Sequence, residues 1–527
     1  MAQDHIFNSI KVERPNRNHF DLGHSVNTSF NMGTLVPMAC VDLLPGDKVK
    51  VGTETLLRFS PLIAPIMSKV NITMWWFAVP DRILFENPKD WEEWITGQGE
   101  DGHINSYLSN MQNNDPGTLL DHLYHIDNVP GNEEILAAPA AAYCKIYDDW
   151  FRNQNITETE KFVPLQINTN MVAYRDILQG QPLRRTWEKD YFTAALPWAQ
   201  KGDAVTLPLL EDGGSLDVTL SGVNSVGIIR DASDGSEVAA GENLNVGTGA
   251  SLNAGTGNLG SFYDPNGTLH VQLDAAASTI NQLRQAYRLQ EFLELDAMGG
   301  TRYTEKIYAH FGVKSPDSRL QRPELLGRWT GRMSISEVLQ TSGGTGGTGT
   351  PLGTMGGHGI SLVNGSPIDY YATEHCWLIG IINVQPKPQY QQGLQRKFLR
   401  MDYLDYYWPK FAHIGEQEVK NRELMAYHPD PDGVFGYVPR YAEYRYEANN
   451  VAGEMRNTLA HWHLGRIFPS TPGTALNEDF VYCTPSSRIF NVNFNDGGIY
   501  NGNQIFGLIH HHIDILRLMP KYGRPTL

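Results

Sequence analysis

The segment VNITMWWFAVP, Val70–Pro80, alternates apolar and polar residues and then continues into three consecutive aromatic residues. Alternation with a period of two predicts a β-strand, which ends at the proline. The run CWLIGIINV, Cys376–Val384, is a second β-rich segment, and His512–Leu518 alternates in part. Many short strands separated by Gly, Pro and Asn turns predict a β-sandwich or β-barrel, and jelly rolls build such a fold with long loops.

The composition fits a β-rich globular protein, and the chain is longer than a single hydrophobic core accommodates. The sequence has 527 residues, and a single hydrophobic core stops growing at roughly 250–300 residues. Glycine (51 residues) and proline (30 residues) are abundant, which favours turns and short strands over long helices. We therefore expect either two or more domains, or one core from which long segments of the chain extend.

The cysteines and the absence of apolar runs bear on the compartment. Cys40, Cys144, Cys376 and Cys483 lie far apart without C-x-x-C spacing, which argues against a zinc module or a disulfide framework and fits buried thiols. The N-terminal residues contain Asp4 and lack the apolar core of a signal peptide, and no run reaches the ~18 apolar residues of a spanning helix. We expect a soluble protein made and used in a cytoplasm, without membrane insertion.

One amphipathic helix is predicted over residues 278–297, where apolar residues such as Ile280 and Leu283 recur at helical spacing. The pair Gly299–Gly300 is expected to end this helix, because glycine adopts the left-handed conformation of a helix end at little cost. A weaker helical pattern covers Gly415–Leu424.

Two segments are dense in tyrosine and arginine, namely Gly299–Glu324 and the residues from Tyr437 to Tyr446. Tyr and Arg are enriched at protein interfaces, and single-stranded nucleic acid also stacks on them. We predict that both segments contact neighbouring chains, with nucleic-acid contact as the alternative for the second. The candidate residues are Arg302, Tyr303, Tyr308, Phe311, Arg319, Arg322, Tyr437, Arg440, Tyr441, Tyr444 and Arg445.

The composition changes between Gly202 and Leu273, where nine acidic residues and thirteen glycines accompany a single arginine, Arg230. Short alternating runs within it predict a few strands, so we expect an acidic, solvated insertion with a small β-structure of its own. A disordered loop is the alternative. Gly343–Gly359 is predicted to be a low-complexity loop, and its G-x-G-x-x-G match lacks the strand and helix that a nucleotide site requires.

The formal net charge of −16 argues against a protein that coats nucleic acid with its whole surface, because phosphate neutralisation supplies most of that affinity. Two small basic patches near the chain ends are the candidates for a surface that faces nucleic acid. Solvated chain ends or salt bridges between chains explain the same patches equally well. The candidate residues are Lys11, Arg14, Arg17, Arg517, Lys521, Tyr522 and Arg524.

Two histidine motifs are candidate metal ligands. His461-Trp462-His463 would place two imidazoles on one face of a strand, as in metal-dependent cupins, but no glutamate follows at the expected distance. In His510-His511-His512, alternation divides the side chains between two faces. We expect hydrogen-bonded or interfacial histidines in both, no catalytic residue and no cofactor. A structural divalent cation would suit an acidic protein, but no loop pattern identifies its ligands.

Six blocks along the chain carry a resemblance to a known family. They are NTSFNMGTLVPMACVDLLPGDKVKV (Asn27–Val51), PLIAPIMSKVNITMWWFAVPDRIL (Pro61–Leu84), GGTRYTEKIYAHFGVKSPDSRLQRPE (Gly299–Glu324), YWPKFAHIGEQEVKNREL (Tyr407–Leu424), VFGYVPRYAEYRY (Val434–Tyr446) and RLMPKYGRPTL (Arg517–Leu527). In this order they resemble the major capsid proteins of the Microviridae, small tailless single-stranded DNA phages, and of their gokushovirus branch in particular.

The resemblance implies a mainly β fold, an eight-stranded antiparallel jelly roll with large loop insertions that contain short helices and small extra strands. Residues 1–201 and 274–527 would carry the jelly roll, with the helix 278–297 and interface loops in the second part. Residues 202–273 would correspond to a variable insertion that forms protrusions at the threefold axes in that family. Such a protrusion is a candidate surface for contact with a host receptor of unknown chemistry.

The resemblance also implies sixty copies in a small icosahedral (T=1) shell around a circular single-stranded DNA genome, assembled in the cytoplasm of a bacterial host. A small, very basic DNA-packaging protein is the implied partner. We therefore predict a structural capsid protein that self-assembles and is not an enzyme. The alternatives are a jelly-roll metal-dependent enzyme that uses the two histidine motifs, and a carbohydrate-binding virion accessory protein.

Overall fold

The structure is a computed structural model that describes residues 16–96, 105–112, 116–126, 128–203, 205, 228–231, 244–246, 252–254, 258–263, 280–341, 353–469, 473–491 and 502–522. The strands are β1 (Asn18–Asp21), β2 (His24–Phe30), β3 (Val36–Leu43), β4 (Lys48–Phe59), β5 (Val70–Pro80), β6 (Tyr107–Gln112), β7 (Asn128–Leu136), β8 (Ile228–Asp231), β9 (Leu244–Val246), β10 (Leu252–Ala254), β11 (Asn258–Tyr263), β12 (Glu324–Arg332), β13 (Ser334–Leu339), β14 (Met355–Asn364), β15 (Ile368–Tyr371), β16 (Cys376–Pro386), β17 (Glu416–Lys420), β18 (Val434–Pro439) and β19 (Ile505–Arg517).

Helices lie between the strands, and all but α5 have nine residues or fewer. The α-helices are α1 (Pro88–Thr96), α2 (Leu119–Tyr124), α3 (Ala138–Ile146), α4 (Arg175–Gln179), α5 (Ile280–Met298), α6 (Tyr303–Phe311), α7 (Asn421–Leu424) and α8 (Glu478–Val481). A π-helical turn, Tyr147–Phe151, follows α3. Single 3₁₀ turns lie at Asp81–Leu84, Val172–Tyr174, Ser318–Leu320, Arg396–Phe398, Tyr403–Asp405, Pro409–Phe411, Ala442–Tyr444, Gly453–Arg456, Ala460–Trp462 and Ser487–Ile489.

A four-stranded antiparallel sheet, sheet 2, has β5 and β16 at its centre and the order β12-β5-β16-β3. Both central strands lie where the sequence predicts them, because their apolar runs are buried on both faces of the sheet. Trp76 lies opposite Gly380, and a Cβ at this glycine would come within 3.1 Å of the indole ring. The absence of a side chain at Gly380 therefore leaves room for the indole of Trp76.

A seven-stranded antiparallel sheet, sheet 1, contains β1, β2, β4, β13, β14, β15 and β19. Its two longest strands, β4 and β19, pair with each other. Along β4, Val49 and Val51 are buried whereas Lys48 and Lys50 point to solvent. In the register of the two strands, Ile513 of β19 lies opposite Val51. Sheet 1 therefore has one apolar face and one polar face, as expected for a half-buried antiparallel sheet.

The main hydrophobic core lies between the two sheets. Val51 and Ile513 of sheet 1 share one buried cluster with Ile72, Trp76 and Ile382 of sheet 2. Fully burying an aliphatic or aromatic side chain of this kind stabilises the fold by roughly 1.5–3 kcal/mol. Because two antiparallel sheets enclose a common core, the prediction of a mainly β sandwich is confirmed.

The opposite face of sheet 2 is covered by a second core. Phe77 of β5 and Ile379 of β16 pack there with the alanine-rich helix α3. The hydroxyl of Tyr143 on α3 donates a hydrogen bond to the Leu35 carbonyl at 2.7 Å, which anchors the helix to the sheet. Phe192, Phe435 and other buried side chains build a third cluster among the connections around β17 and β18.

The chain divides into two compact units, residues 1–201 with 294–527, and residues 202–293. The second unit contains a four-stranded antiparallel sheet with the order β8-β11-β10-β9. The helix predicted over 278–297 is confirmed as α5, Ile280–Met298. The predicted domain boundaries and the surface protrusion stay predictions.

Three predictions of local structure are corrected. Glu416–Lys420 forms strand β17, so the helical pattern over Gly415–Leu424 is wrong except for the short α7. The loop predicted over Gly343–Gly359 is wrong from Met355 onward, where β14 begins, and residues 343–352 lie outside the described part. The strand predicted over His512–Leu518 begins earlier, at Ile505.

Among the helices that the structure describes, none has the length and apolar composition to cross a bilayer.

Candidate subunit interfaces and genome-facing surface

Helix α6 presents an aromatic surface to solvent. The helix ends at Phe311, where Gly312 adopts a left-handed φ of 67° that glycine tolerates at little cost. Tyr303 and Tyr308 are exposed, and Phe311 is 78% exposed. Three exposed aromatic side chains on one short helix favour a contact with another molecule, because exposed apolar surface of this kind is typical of interaction sites.

The arginines of the same segment have different environments. Arg302 donates from Nη2 to the carbonyl of Arg152 at 2.7 Å, and the Arg322 guanidinium lies over the Trp150 ring at 4.1 Å. Both side chains therefore hold the segment against its own chain at the π-helical turn. Arg319 is exposed. The contact of these arginines with a neighbouring chain stays a prediction.

The second predicted interface segment contains a buried anchor at Tyr441. This residue has a positive φ of 61°, and its N–H donates to Gln417 Oε1 at 2.9 Å. Its ring meets Tyr407 edge to face at 4.9 Å. Beside it, Tyr444 is exposed and carries the Arg400 guanidinium over its ring at 4.1 Å. The tyrosines thus form one cluster of which only the outer part is accessible.

The remaining residues of this segment surround that cluster. Arg445 is exposed and donates from Nη2 to the Arg440 carbonyl at 2.8 Å, and the Arg440 guanidinium lies 5.1 Å from the Tyr441 ring. Tyr437 is half-buried, and its backbone N–H donates to the Leu196 carbonyl at 2.8 Å. The structure therefore brings Arg440, Tyr441, Tyr444 and Arg445 together, and their role towards other chains stays a prediction.

Sequence reasoning missed an exposed aromatic segment that adjoins this cluster. Phe398, Tyr403, Tyr406 and Trp408 are exposed and lie in or next to three single 3₁₀ turns. The available signal was the density of aromatic residues between positions 398 and 411. Together with Tyr444, this segment enlarges the exposed aromatic surface of the chain.

The candidate genome-facing residues separate into paired and exposed groups. Arg517 donates from Nη2 to Asp47 Oδ2 at 2.7 Å, and this aspartate is buried, so the arginine has a structural role. Arg17 lies over the Tyr371 ring at 5.8 Å, while Lys521 and Tyr522 are exposed. Lys11, Arg14 and Arg524 lie outside the described residues. A contact of any of them with DNA stays a prediction.

The motif His461-Trp462-His463 lies in a 3₁₀ turn and the extended residue after it, so the strand that the metal-site alternative requires is not formed there. His463 is buried and donates from Nε2 to the Met455 carbonyl at 2.7 Å, while its Nδ1 accepts from the Gly465 N–H at 2.9 Å. Burial lowers the pKa of His463. Both ring nitrogens are therefore used within the chain.

The triple histidine motif lies on β19, and alternation divides it as predicted. His511 points into the core, where its Nε2 contacts the Met38 carbonyl at 2.9 Å, and burial lowers its pKa to about 4. His510 and His512 share the outer face, with ring centroids 4.4 Å apart. Among the described residues, no three His, Cys, Asp or Glu side chains are placed to hold a metal ion.

The cysteines are unpaired in the structure. Burial raises the pKa of Cys40 to about 12 and that of Cys376 to about 12. Thiols with such pKa values carry almost no thiolate near neutral pH, so neither is an activated nucleophile.

Comparison with known proteins gives these surfaces a context. The model of the family described as "Capsid protein (F protein)" of phages matches residues 8–527. The chain belongs to this phage capsid protein family. The family predicted from the six sequence blocks is therefore confirmed, and the chain is a structural capsid protein, a component of a virion whose subunits assemble into a shell.

Relatives within the phage capsid protein family match nearly the whole chain. The Capsid protein VP1 of Bdellovibrio phage phiMH2K is 33% identical over 548 residues, covering 99% of this chain and 97% of the relative. The Capsid protein VP1 of Chlamydia phage 1 is 31% identical, with the same coverage. That of Spiroplasma virus 4 is 31% identical and covers 91% of both chains. The likeness therefore extends over strands and connecting segments alike.

Proposed function

We propose that this capsid protein closes into a small icosahedral shell of sixty copies around a circular single-stranded DNA genome. The observation that carries the proposal is the exposed aromatic face of α6 on a chain whose whole length matches phage capsid proteins. Different patches of each subunit would meet different neighbours, so that many modest interfaces add up to a closed shell. No step of this function requires a catalytic residue or a cofactor.

The shell subunit is proposed to be an eight-stranded jelly roll. A jelly roll pairs its first, eighth, third and sixth strands in one sheet and its second, seventh, fourth and fifth strands in the other. Counting β2, β3, β4, β5, β12, β14, β16 and β19 as first to eighth, the observed strand pairings support this order. The long connections then lie between the fourth and fifth strands and between the seventh and eighth.

The proposed partners follow from charge. With a net charge of −16, the subunit needs help to neutralise a genome, and a small basic DNA-packaging protein would supply it. The acidic residues 202–273 are proposed to protrude from the shell and to contact the host. Assembly is proposed to take place in the cytoplasm of the bacterial host. A divalent cation between subunits would be an addition to this scheme, detectable by metal analysis of purified particles.

Electron microscopy of the purified chain tests the shell. We expect uniform small icosahedral particles, either from the chain alone or after addition of a small basic peptide. Discrete monomers or small rings under both conditions would contradict self-assembly by this chain. Metal bound at one equivalent per chain in such a sample would instead favour the metal-dependent enzyme.

Substitution of the α6 surface tests the interface. Replacing both Tyr308 and Phe311 by serine should lower particle yield and leave unfolding of the unassembled chain unchanged, because both side chains are exposed. The matched control is Ile95→Ser, which removes an exposed apolar side chain from α1. Full particle yield from the double variant, or an equal loss in the control, would contradict a specific role for α6.

A further inference from the structure

The outer face of sheet 2 changes character along its strands. Near one end, Phe77 of β5 and Ile379 of β16 lie under the second hydrophobic core. Farther along the same face, these strands carry Asn71, Asn383 and Gln385 instead. Alternate residues of a strand share a face, so these polar residues lie on the same face of sheet 2 as Phe77 and Ile379. They form the polar end of that face.

Three arginines, Arg185, Arg328 and Arg332, border this polar end, and we refer to them as the arginine strip. Arg328 and Arg332 lie on the edge strand β12, opposite Trp75 and Asn71 respectively. Both arginines are exposed, and within the described part of the chain neither forms an ion pair. Their separation by four residues places both guanidinium groups on the same face of the strand.

Arg185 lies in the segment before Phe192, a residue of the third cluster. Its Nη1 donates to Asn383 Oδ1 at 3.2 Å, and its guanidinium lies 4.9 Å from the Trp75 ring. The Arg328 guanidinium lies 5.9 Å from the same ring, so both positive groups lie near one indole. Burial lowers the pKa of Arg185, and Arg328 adds to that effect.

One carboxylate, Glu188, accompanies the strip, and it already has partners. It accepts from Asn71 Nδ2 at 2.8 Å and lies 3.8 Å from Lys387 Nζ. The local balance is thus positive on a chain whose net charge is −16. An excess of positive charge at one place reduces folding stability through repulsion, and such a surface attracts polyanions.

We propose that the arginine strip binds the phosphate groups of single-stranded DNA. The inference rests on the proposed function, since it assigns part of the genome contact to a surface away from the chain ends. Guanidinium groups recognise phosphate oxygens through charge-assisted hydrogen bonds, and a row of them along an edge strand suits a polyphosphate chain. An acidic surface of a second copy is the competing occupant.

The test measures how salt affects DNA binding by the unassembled full-length chain. Fluorescence anisotropy with fluorescein-labelled oligo(dT) compares the wild type with R328Q/R332Q, two substitutions at exposed positions. Each lost phosphate contact to a single strand lowers the slope of log K against log salt by about 0.7, so the double variant should lose about 1.4. Between 50 and 200 mM salt, the wild type should then lose about 7-fold more affinity than the variant.

Two further variants make the result specific. K50Q/R58Q removes two exposed cations from β4 on the other sheet and should leave the slope near that of the wild type. R328K/R332K keeps the charge and should retain most of the slope. A slope that is unchanged in R328Q/R332Q, or that falls equally in K50Q/R58Q, overturns the proposal.

Particle yield separates this proposal from the shell itself. Lower yield of R328Q/R332Q particles with an unchanged DNA slope would make the strip a subunit contact and overturn the proposal. A reduced slope supports the strip even if the wild-type chain forms no particles, in which case the proposed shell fails by itself.

Discussion

Replacing Asp81 by asparagine should stabilise the chain near pH 8 and leave its stability unchanged near pH 4. Asp81 follows β5 and is 6% exposed, and its Oδ1 accepts a hydrogen bond from the Trp377 indole N–H at 2.8 Å. Burial is the main cause that raises the pKa of Asp81 to about 7, against a model-peptide value of 3.8. The carboxylates of Asp42 and Glu374 raise it further, while the indole hydrogen bond opposes the change.

The magnitude and sign follow from proton linkage. A pKa raised from 3.8 to about 7 corresponds to about 4 kcal/mol between the folded and unfolded states. Between these two values the folded state holds a proton that the unfolded state has released. The free energy of unfolding therefore falls as the pH rises from about 4 to about 7. Asparagine does not ionise and still accepts the indole hydrogen bond, so the variant avoids this loss.

Denaturant unfolding of the unassembled chain, followed by tryptophan fluorescence, measures the effect. Near pH 8, D81N should exceed the wild type by up to about 4 kcal/mol, and near pH 4 the two should coincide. The control D369N removes an exposed carboxylate from β15 and should show no such pH-dependent gain. Equal or lower stability of D81N near pH 8 would refute the reasoning, as would the same gain in D369N.

Two other substitutions test the packing and the buried ion pair. Gly357→Ala should destabilise the chain by about 1–3 kcal/mol in denaturant unfolding, because its Cβ would lie 2.6 Å from a backbone oxygen of a neighbouring loop. Gly52→Ala, whose Cβ would meet nothing closer than 3.8 Å, should cost much less, and equal costs would contradict the packing argument. Arg517→Ala should cost about 3 kcal/mol because it leaves the Asp47 carboxylate buried without its cation. The exposed Lys521→Ala should change stability by less than about 0.5 kcal/mol, and a neutral Arg517→Ala would return that arginine to the genome-facing candidates.

The centre of the fold could be predicted from the sequence, since its signals are local. Val70–Pro80 and Cys376–Pro386 are strands with continuous apolar runs, and both are central in sheet 2. The helix at Ile280–Met298 likewise follows from its apolar spacing. The helical prediction over Glu416–Lys420 is wrong because these residues pair with Val434–Pro439, and that pairing overrides a weak helical pattern.

The interface candidates show where composition stops being informative. Arg322 and Phe311 occur in the same segment, yet the first lies over Trp150 of its own chain and the second is exposed. Arginine and aromatic residues serve intrachain stacking as readily as contacts between chains, so only the three-dimensional structure separates the two uses. Similarly, Arg517 resembles a basic surface residue in the sequence but is paired with buried Asp47.

Substitutions in the strands and in the connecting segments should have different effects, because the strands carry buried side chains and the connections carry exposed ones. The strands of sheet 2 place their large side chains in two cores, so a substitution at Trp76 or Phe77 perturbs folding before any contact between subunits. The exposed aromatic residues of α6 and the Phe398–Trp408 segment lie in the connections, outside these cores. Substitutions there are therefore expected to change the stability of the subunit little, so that a loss of particle yield would report on assembly. The arginine strip combines the two situations, because β12 is a strand of sheet 2 whose arginines Arg328 and Arg332 are exposed. Substitution of these arginines tests whether a strand of the sandwich also binds DNA.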